Sequence, residues 1–293
     1  MSIADTTADT SELANKQRPF LFRLLSTPAG FIGFFIVVVL IGSALFAEFL
    51  APYDPTRMGA GKRFLPPGGD YLLGTDEFGR DMFSRILYGS RLSLLIGAVA
   101  VSISLTIGVI VGLTAAYFRG WLEAILMRGT DVLFSFTETL IALSCVAVLG
   151  PSLQNAIIAV GISGIPFYAR TCYSAALVES SKPYFEASLS AGAGHGRLLF
   201  LHLLPNVLPT MIVVATLGVS TAILAAAGLS FLGLGAQPPL PEWGYMLSGA
   251  RDYFNRAPWL MTIPGLAIAV TVLGFNLLGD GLRTALDPVE RHR

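Results

Sequence analysis

Residues 92–118 read LSLLIGAVAVSISLTIGVIVGLTAAYF, with no charged side chain between Arg91 and Arg119. A hydrocarbon layer about 30 Å thick, crossed at about 1.5 Å per residue, takes roughly 20 apolar residues. This run exceeds that length, so it predicts a membrane-spanning helix. The same test applied outward finds comparable gaps from Arg23 to Glu48, His202 to Glu242 and Arg256 to Asp280. The predicted spans lie near residues 29–49, 92–117, 208–233 and 260–281. Between Asp131 and Arg170 the single charge is Glu138, and Gly150-Pro151-Ser152 reads as a tight turn separating two further spans. The expected fold is an all-α membrane protein with six transmembrane helices.

Composition points the same way. Of the 293 residues, 54% are apolar and 13% charged, against roughly 25% charged in an ordinary soluble domain. Six all-apolar helices in a chain this short would leave a soluble fold almost no polar surface. Nineteen basic and nineteen acidic side chains cancel, so no global field gathers nucleic acid. Cys145 and Cys172 lack metal or redox spacing and read as packing residues. Met1 to Gln17 is polar and reads as a disordered tail. The first apolar run is too long for a signal-peptide core and reads as a retained anchor.

With six spans both ends share a side. A cytoplasmic N-terminus places eleven of the nineteen Lys and Arg residues inside, a weak positive-inside bias. The opposing basic group, Arg57 to Arg91, is interleaved with Asp70, Asp76, Glu77 and Asp81, as expected of a folded outer loop.

Three short patterns lack the context their chemistry requires. Gly59-Ala60-Gly61-Lys62-Arg63 resembles the end of a phosphate-binding loop, but Thr56 replaces the first glycine and Arg63 the hydroxyl residue. Gly161-Ile162-Ser163-Gly164 imitates an intramembrane serine protease, yet His195, His202 and His292 all fall in predicted cytoplasmic segments, away from that serine. Gly108 to Gly112 is a GxxxG pattern and reads as a close helix contact. No catalytic, metal or cofactor residue is expected.

Between spans four and five lies Tyr184-Phe185-Glu186-Ala187-Ser188-Leu189-Ser190-Ala191-Gly192-Ala193-Gly194-His195-Gly196-Arg197-Leu198-Leu199-Phe200-Leu201-His202-Leu203-Leu204-Pro205-Asn206. The pattern predicts two short helices hinged at Gly192, Gly194 and Gly196, with Phe185 and Leu189 on one face and Pro205 stopping the second helix. Such an elbow suits docking to another protein; the bland alternative is an interfacial lid with no partner. In span three, Asp131, Ser135, Glu138 and Cys145 follow helical spacing and predict a weakly polar stripe, a candidate translocation path. Counting from Arg128 places Glu138 about 15 Å into the hydrocarbon, where an ionisable group faces a cavity or a partner. Asp131, one turn from Arg128, reads as an ion pair with it, and Asn276, Asp280 and Arg283 read as structural pairing at the end of span six.

Glu186-Ala187-Ser188, Gly192 and Leu204-Pro205-Asn206 resemble the EAA loop of ATP-binding-cassette importer permeases. Leu73-Gly74-Thr75-Asp76-Glu77-Phe78-Gly79-Arg80-Asp81, the run from Leu229 to Pro239, Glu242-Trp243-Gly244, Pro264-Gly265, the run from Phe275 to Leu282, and Leu286-Asp287-Pro288 extend the likeness. Together they resemble the second permease subunit of the dipeptide, oligopeptide and nickel importers over most of residues 29–288. The resemblance implies a MetI-like permease core of spans two to six, an extra N-terminal helix and a cytoplasmic coupling elbow carrying Glu186, Ala187, Ser188, Gly192 and Pro205. It divides the chain into a tail (1–28), an N-terminal transmembrane helix (29–50), an extracytoplasmic loop (51–91), a permease domain (92–288) and a tail (289–293). It implies a bacterial or archaeal cytoplasmic membrane, with a homologous permease, two ATP-binding subunits that hold ATP and Mg, and an extracytoplasmic substrate-binding protein as partners. The chain itself is then no enzyme. Di- or oligopeptide cargo is the first expectation; nickel chelate, glutathione, opine or sugar are alternatives. A secondary transporter using Glu138 as a proton site is the alternative of another class, disfavoured because no inverted repeat of broken helices is visible. Three positions depart from the pattern: Ser188 replaces the second alanine, Leu201 a usual arginine, and Thr137 a usual proline, the last implying a straighter span three.

Overall fold

The structure is a computed structural model that describes residues 20–286. The readings on the polar N-terminal tail, His292, Asp287-Pro288 and the basic residues at either end lie outside the described residues. Regular structure among the described residues is helical: α1 (Phe20–Ser26), α2 (Pro28–Leu45), α3 (Ala47–Leu50), α4 (Met82–Phe118), α5 (Gly120–Phe134), α6 (Glu138–Leu149), α7 (Leu153–Ser180), α8 (Pro183–Ser190), α9 (His195–Phe231), α10 (Trp243–Ala250) and α11 (Trp259–Leu286). The helices α2, α4, α7, α9 and α11 are each long and apolar enough to cross a membrane. The sixth span is broken, because α5 and α6 meet at a bend of 90°.

Small residues set the helix spacing. The two long helices α4 and α7 pack along much of their length. A Cβ at Gly108 would lie 2.6 Å from Tyr168 Cβ, and one at Gly112 would lie 2.6 Å from Ala169 O and 2.7 Å from Cys172 Cβ. The GxxxG pattern is thus a close contact, as expected. The protease-like tetrapeptide belongs to the same seam: Ser104 Oγ donates to Gly161 O at 2.6 Å, Ser163 Oγ donates within its own helix to Val160 O, and Gly161 faces Ile103. Without a hydrophobic driving force between helices in lipid, such close approach and cross-helix hydrogen bonding hold the bundle together. On the other side α2 docks on α11, where Gly33 abuts the backbone of Leu277 and Leu278 and Gly274 receives Ile36. The outward side of α2 carries exposed Phe31, Phe35, Val38 and Val39, the surface a lipid-facing helix presents.

Helix α4 begins ten residues before the predicted start of span two. Asp81 is its N-cap, with Oδ2 accepting from the Ser84 N–H at 2.8 Å and from Ser84 Oγ at 2.6 Å. The charges Arg85 and Arg91 had marked this stretch as loop. They lie instead on the helix, Arg85 buried against Asp76 and the Pro55 carbonyl, and Arg91 bonded to the carbonyls of Ala44 and Leu45. Ahead of the cap, the Leu73 to Asp81 signature folds into a polar knot. Asp76 Oδ1 accepts from the N–H groups of Phe78 and Arg80, while Oδ2 receives Arg80 Nε at 2.5 Å. Gly74 and Gly79 take φ values of 76° and 72°, a region open to glycine, which lets the loop double back. Burial and the neighbouring Asp76 push the Glu77 carboxyl above its ordinary value, against the pull of Arg80. Glu242 caps α10 beneath the knot, with its two oxygens accepting from the N–H groups of Gly244 and Tyr245, and burial raises its carboxyl as well.

Span three departs most from expectation. The predicted straight helix is interrupted at residues 135–137: Ser135 Oγ turns back to Asp131 O at 3.0 Å, and Thr137 is extended at φ −67°, ψ 143°. Thr137 adopts the φ that a proline ring imposes, so the helix breaks although no proline is present. The acid at position 138 then starts a new helix, where the helix dipole favours negative charge. Asp131, Ser135, Glu138 and Cys145 therefore do not share one face, since a bend of 90° separates the first two from the last two. Asp131 pairs with Arg170 of α7 at 3.1 Å rather than with Arg128. At the end of α11, Asp280 and Arg283 are both exposed and form no ion pair among the described residues, so that predicted pairing is absent.

Candidate functional site

Two places concentrate chemistry outside the packed core: the elbow between α7 and α9, and the break in span three.

The first elbow helix, α8, starts with Pro183 at N1, where a missing N–H costs nothing. Its end is a Schellman arrangement: Gly192 N–H donates to Leu189 O at 3.0 Å and Ala193 N–H to Ser188 O at 3.2 Å, with Gly192 at φ 80°. Gly192 therefore earns its place by backbone conformation, since nothing lies within 4 Å of a Cβ built there. Of the three predicted hinge glycines, only Gly192 has positive φ. Gly194 is the extended residue before the next helix, and Gly196 lies inside it.

The second elbow helix does not stop at Pro205. It runs from His195 to Phe231 without interruption. The turns at Leu198–Leu203 are π-helical, and Pro205 enters at the start of the α-helical stretch that follows. A widened turn just before the ring accommodates both the absent N–H and the clash with the preceding turn. The elbow is thus a short helix followed by the leading end of a membrane span, so any force on it passes directly into that span.

Phe185, Leu198 and Leu203 anchor the elbow in the main core. Leu189, the predicted face partner of Phe185, points the other way and is exposed. Glu186, Ala187 and Ser190 are exposed and Ser188 is half-buried, its hydroxyl donating to Tyr184 O. Phe200 and Leu201 are each 67% exposed. With Leu189 they are large apolar side chains left uncovered on the elbow, a feature that marks a protein contact. Leu201, the departure from the usual arginine, is one of them.

A polar cluster ties the elbow to the spans, and sequence reasoning missed it. Buried Glu179, at the end of α7, accepts from Tyr184 Oη at 2.6 Å and from Lys182 Nζ at 2.6 Å. Asn206 Nδ2 donates to Tyr184 Oη at 3.2 Å and to His202 O at 2.6 Å. Burial and the Glu179 bond push the Tyr184 phenol up to about 12, so it remains a donor at physiological pH. A second tie joins Tyr117 Oη and His195 Nδ1 at 2.6 Å. The signal for the first was a glutamate preceding a tyrosine by five residues, legible only once α7 and α8 are known to fold against each other.

At the break in span three, Glu138 lines a cavity of about 40 Å³ with Val101 and Ser104 of α4, Gly164 and Tyr168 of α7, and Gly218 and Thr221 of α9. Asp131 and Ser135 lie before the bend, away from this cavity.

The family described as the inner membrane component of binding-protein-dependent transport systems matches residues 104–292, and the N-terminal transmembrane domain of oligopeptide transport permease C matches residues 18–67. The chain is 47% identical to a di/tripeptide transport system permease protein of Pseudomonas aeruginosa over 87% of this chain and 86% of that one. It is 48% identical to a dipeptide transport system permease protein of Escherichia coli over 88% of each. A glutathione transport system permease protein of Pectobacterium atrosepticum is 43% identical over 92% of this chain and 89% of its own length. Among solved structures, a chain of the MetNI methionine ABC transporter in an inward-facing conformation shares the fold, with a TM-score of 0.59 and 21% identity over 70% of this chain and 98% of that one.

Proposed function

The chain belongs to the inner membrane components of binding-protein-dependent transport systems, and from that premise we propose that it forms half of the translocation pore of an ATP-driven importer of di- or oligopeptides. The observation that carries this reading is the elbow, whose exposed tip is continuous with the span α9. A homologous permease supplies the other half of the pore, and two ATP-binding subunits that hold ATP and Mg engage the elbow. An extracytoplasmic binding protein delivers the cargo. The N- and C-termini and the elbow lie on the cytoplasmic side of a bacterial or archaeal membrane.

The mechanism follows from how the elbow is built. Glu186 and the apolar tip of Leu189, Phe200 and Leu201 meet the ATP-binding subunits. When those subunits close on ATP, the elbow moves as one body, because Phe185, Leu198 and the Glu179 cluster fix it to α7 and α9. Rigid displacement of packed helices then swings the pathway between inward- and outward-facing states. The sister relatives' names support peptide cargo over nickel chelate, opine or sugar, and the glutathione permease among them is itself named for a tripeptide. No covalent chemistry occurs in this chain.

The test is Glu186→Lys in the reconstituted assembly. The exposed acid is outside the core, so the chain should still insert and remain monodisperse, while ATP-dependent dipeptide uptake falls to background and co-purification with the ATP-binding subunits is lost. Normal uptake with normal co-purification would refute the elbow as the coupling element.

A further inference from the structure

The cavity at the break in span three is lined by two groups that have no hydrogen-bond or ion-pair partner among the described residues. Tyr168 is 4% exposed, yet its hydroxyl has no hydrogen-bond partner among the described residues. Among the described residues Glu138 has no ion pair, and no Lys, Arg or His lines the cavity. Arg170, the nearest cation along α7, is taken by Asp131. Glu138 is exposed, so its carboxylate is open to whatever occupies the pathway, whereas the Tyr168 hydroxyl is buried, and native interiors rarely keep such a group without a ligand, water or function.

The geometry also places them at depth. Val101 and Ser104 sit midway along α4, Gly164 and Tyr168 midway along α7, and Gly218 and Thr221 midway along α9. Three spans contribute their middles, so the cavity lies near the centre of the bilayer. The straight helix from which the depth of Glu138 was counted is broken at residues 135–137. The break in span three is what brings the acid there. Helix α6 begins at Glu138, so the positive end of its dipole sits at the cavity together with the carboxylate. Gly218 completes the design, since a Cβ at that position would overlap the Tyr168 hydroxyl. The absence of a side chain there gives the phenol its room.

We propose that Glu138 and Tyr168 form a subsite for a primary ammonium, the amino-terminal group of the transported peptide as it passes the middle of the pore. This deepens the permease reading and rests on it. A cavity of about 40 Å³ exceeds what one water needs and is far below what a dipeptide fills, so the site takes one end of the cargo and leaves the remainder in the wider pathway. The carboxylate accepts a charge-assisted hydrogen bond from the ammonium, and the phenol oxygen accepts a second. Val101, Gly164 and Ala222 beside them are apolar or small, so they offer a bound ammonium no competing polar side chain. Thr221 does not compete, because its hydroxyl is committed to Gly218 O at 2.9 Å.

The probe is methylammonium, small enough for the cavity, with tetramethylammonium as the control that cannot donate. Uptake of a dipeptide is measured in proteoliposomes holding the whole assembly, at saturating loaded binding protein so that delivery is not limiting. In the wild-type assembly methylammonium should inhibit and tetramethylammonium should not. Glu138→Gln should lower the maximal uptake rate and weaken methylammonium inhibition by about tenfold or more, the loss expected for a charge-assisted bond. The half-saturating concentration of loaded binding protein should stay the same. Tyr168→Phe should weaken inhibition several-fold, and Glu138→Asp should retain it. Equal inhibition in wild type and Glu138→Gln would overturn the subsite while leaving the permease reading intact. Failure of Glu138→Gln, but not Glu138→Asp, to co-purify with the sister permease would overturn it in favour of an inter-subunit ion pair. Absence of ATP-dependent uptake in the wild-type assembly would sink the permease reading itself, and the subsite with it.

Discussion

Replacing Tyr184 with Phe removes one oxygen atom from the elbow and with it the hydrogen bond to Glu179 of α7. The hydroxyl donates to Glu179 at 2.6 Å and receives Asn206 Nδ2 at 3.2 Å. A hydrogen bond to a charged group is worth about 1.5–3 kcal/mol. Tyr184 is partly exposed, which puts the bond at the lower end, and Lys182 remains on Glu179, so the carboxylate is not left bare. About 1.5–2 kcal/mol of local stability should be lost, equivalent to roughly ten- to thirty-fold in the opening equilibrium. Amide hydrogen exchange of the detergent-purified chain reads this directly. Residues 187–193, whose N–H groups close α8 and its cap, should exchange about ten- to thirty-fold faster in Tyr184→Phe, while amides in the middle of α7 keep their protection. In the reconstituted assembly the same variant should hydrolyse ATP with less uptake per turnover, because a loosened elbow moves without moving α7. Exchange unchanged within about threefold would show that Phe185 and Leu198 hold the elbow unaided and that the polar cluster transmits nothing.

A methyl group added at Gly112 meets Ala169 O and Cys172 Cβ at 2.6 and 2.7 Å, so Gly112→Ala should cost about 1–3 kcal/mol and lower the thermal midpoint in detergent, whereas Gly129→Ala, with open space around it, should not. The raised carboxyl of Glu77 gives a pH test: its folded value lies above the ordinary 4.5, so its contribution is fully present below pH 4.5 and is lost as pH rises through the folded value. Thermal midpoints should therefore decline across that window in the wild type and less so in Glu77→Gln. For orientation, an impermeant thiol reagent added outside spheroplasts should label a cysteine at exposed Asp70 and not one at exposed Ser190, with Cys145 and Cys172 replaced beforehand; the reverse pattern would invert the topology.

The number of spans and their approximate places were legible in the sequence. Lipid offers no hydrogen-bond partner to the backbone, so a long charge-free run has few options besides a helix. The GxxxG seam between α4 and α7 was legible too, because close approach demands the smallest residue at fixed spacing, and so was the elbow, which keeps polar residues and a capping glycine between two apolar runs. Charge-free length could not reveal that α4 reaches back to Met82. The arginines that seemed to end the span are neutralised by Asp76 and by backbone carbonyls that belong to distant parts of the chain. It could not reveal that Pro205 is absorbed by a π-turn, nor that Thr137 bends the chain as a proline would. Each of these depends on backbone dihedrals set by neighbours rather than by residue type. The tertiary structure alone brings Glu138 to Tyr168 and Tyr184 to Glu179. Glu138 lines its cavity because the break starts a new helix at that residue, and Glu179 holds the elbow because α8 folds back onto α7. Periodicity along one helix carries no information about which other helix stands opposite, and at both sites the chemistry lies between helices.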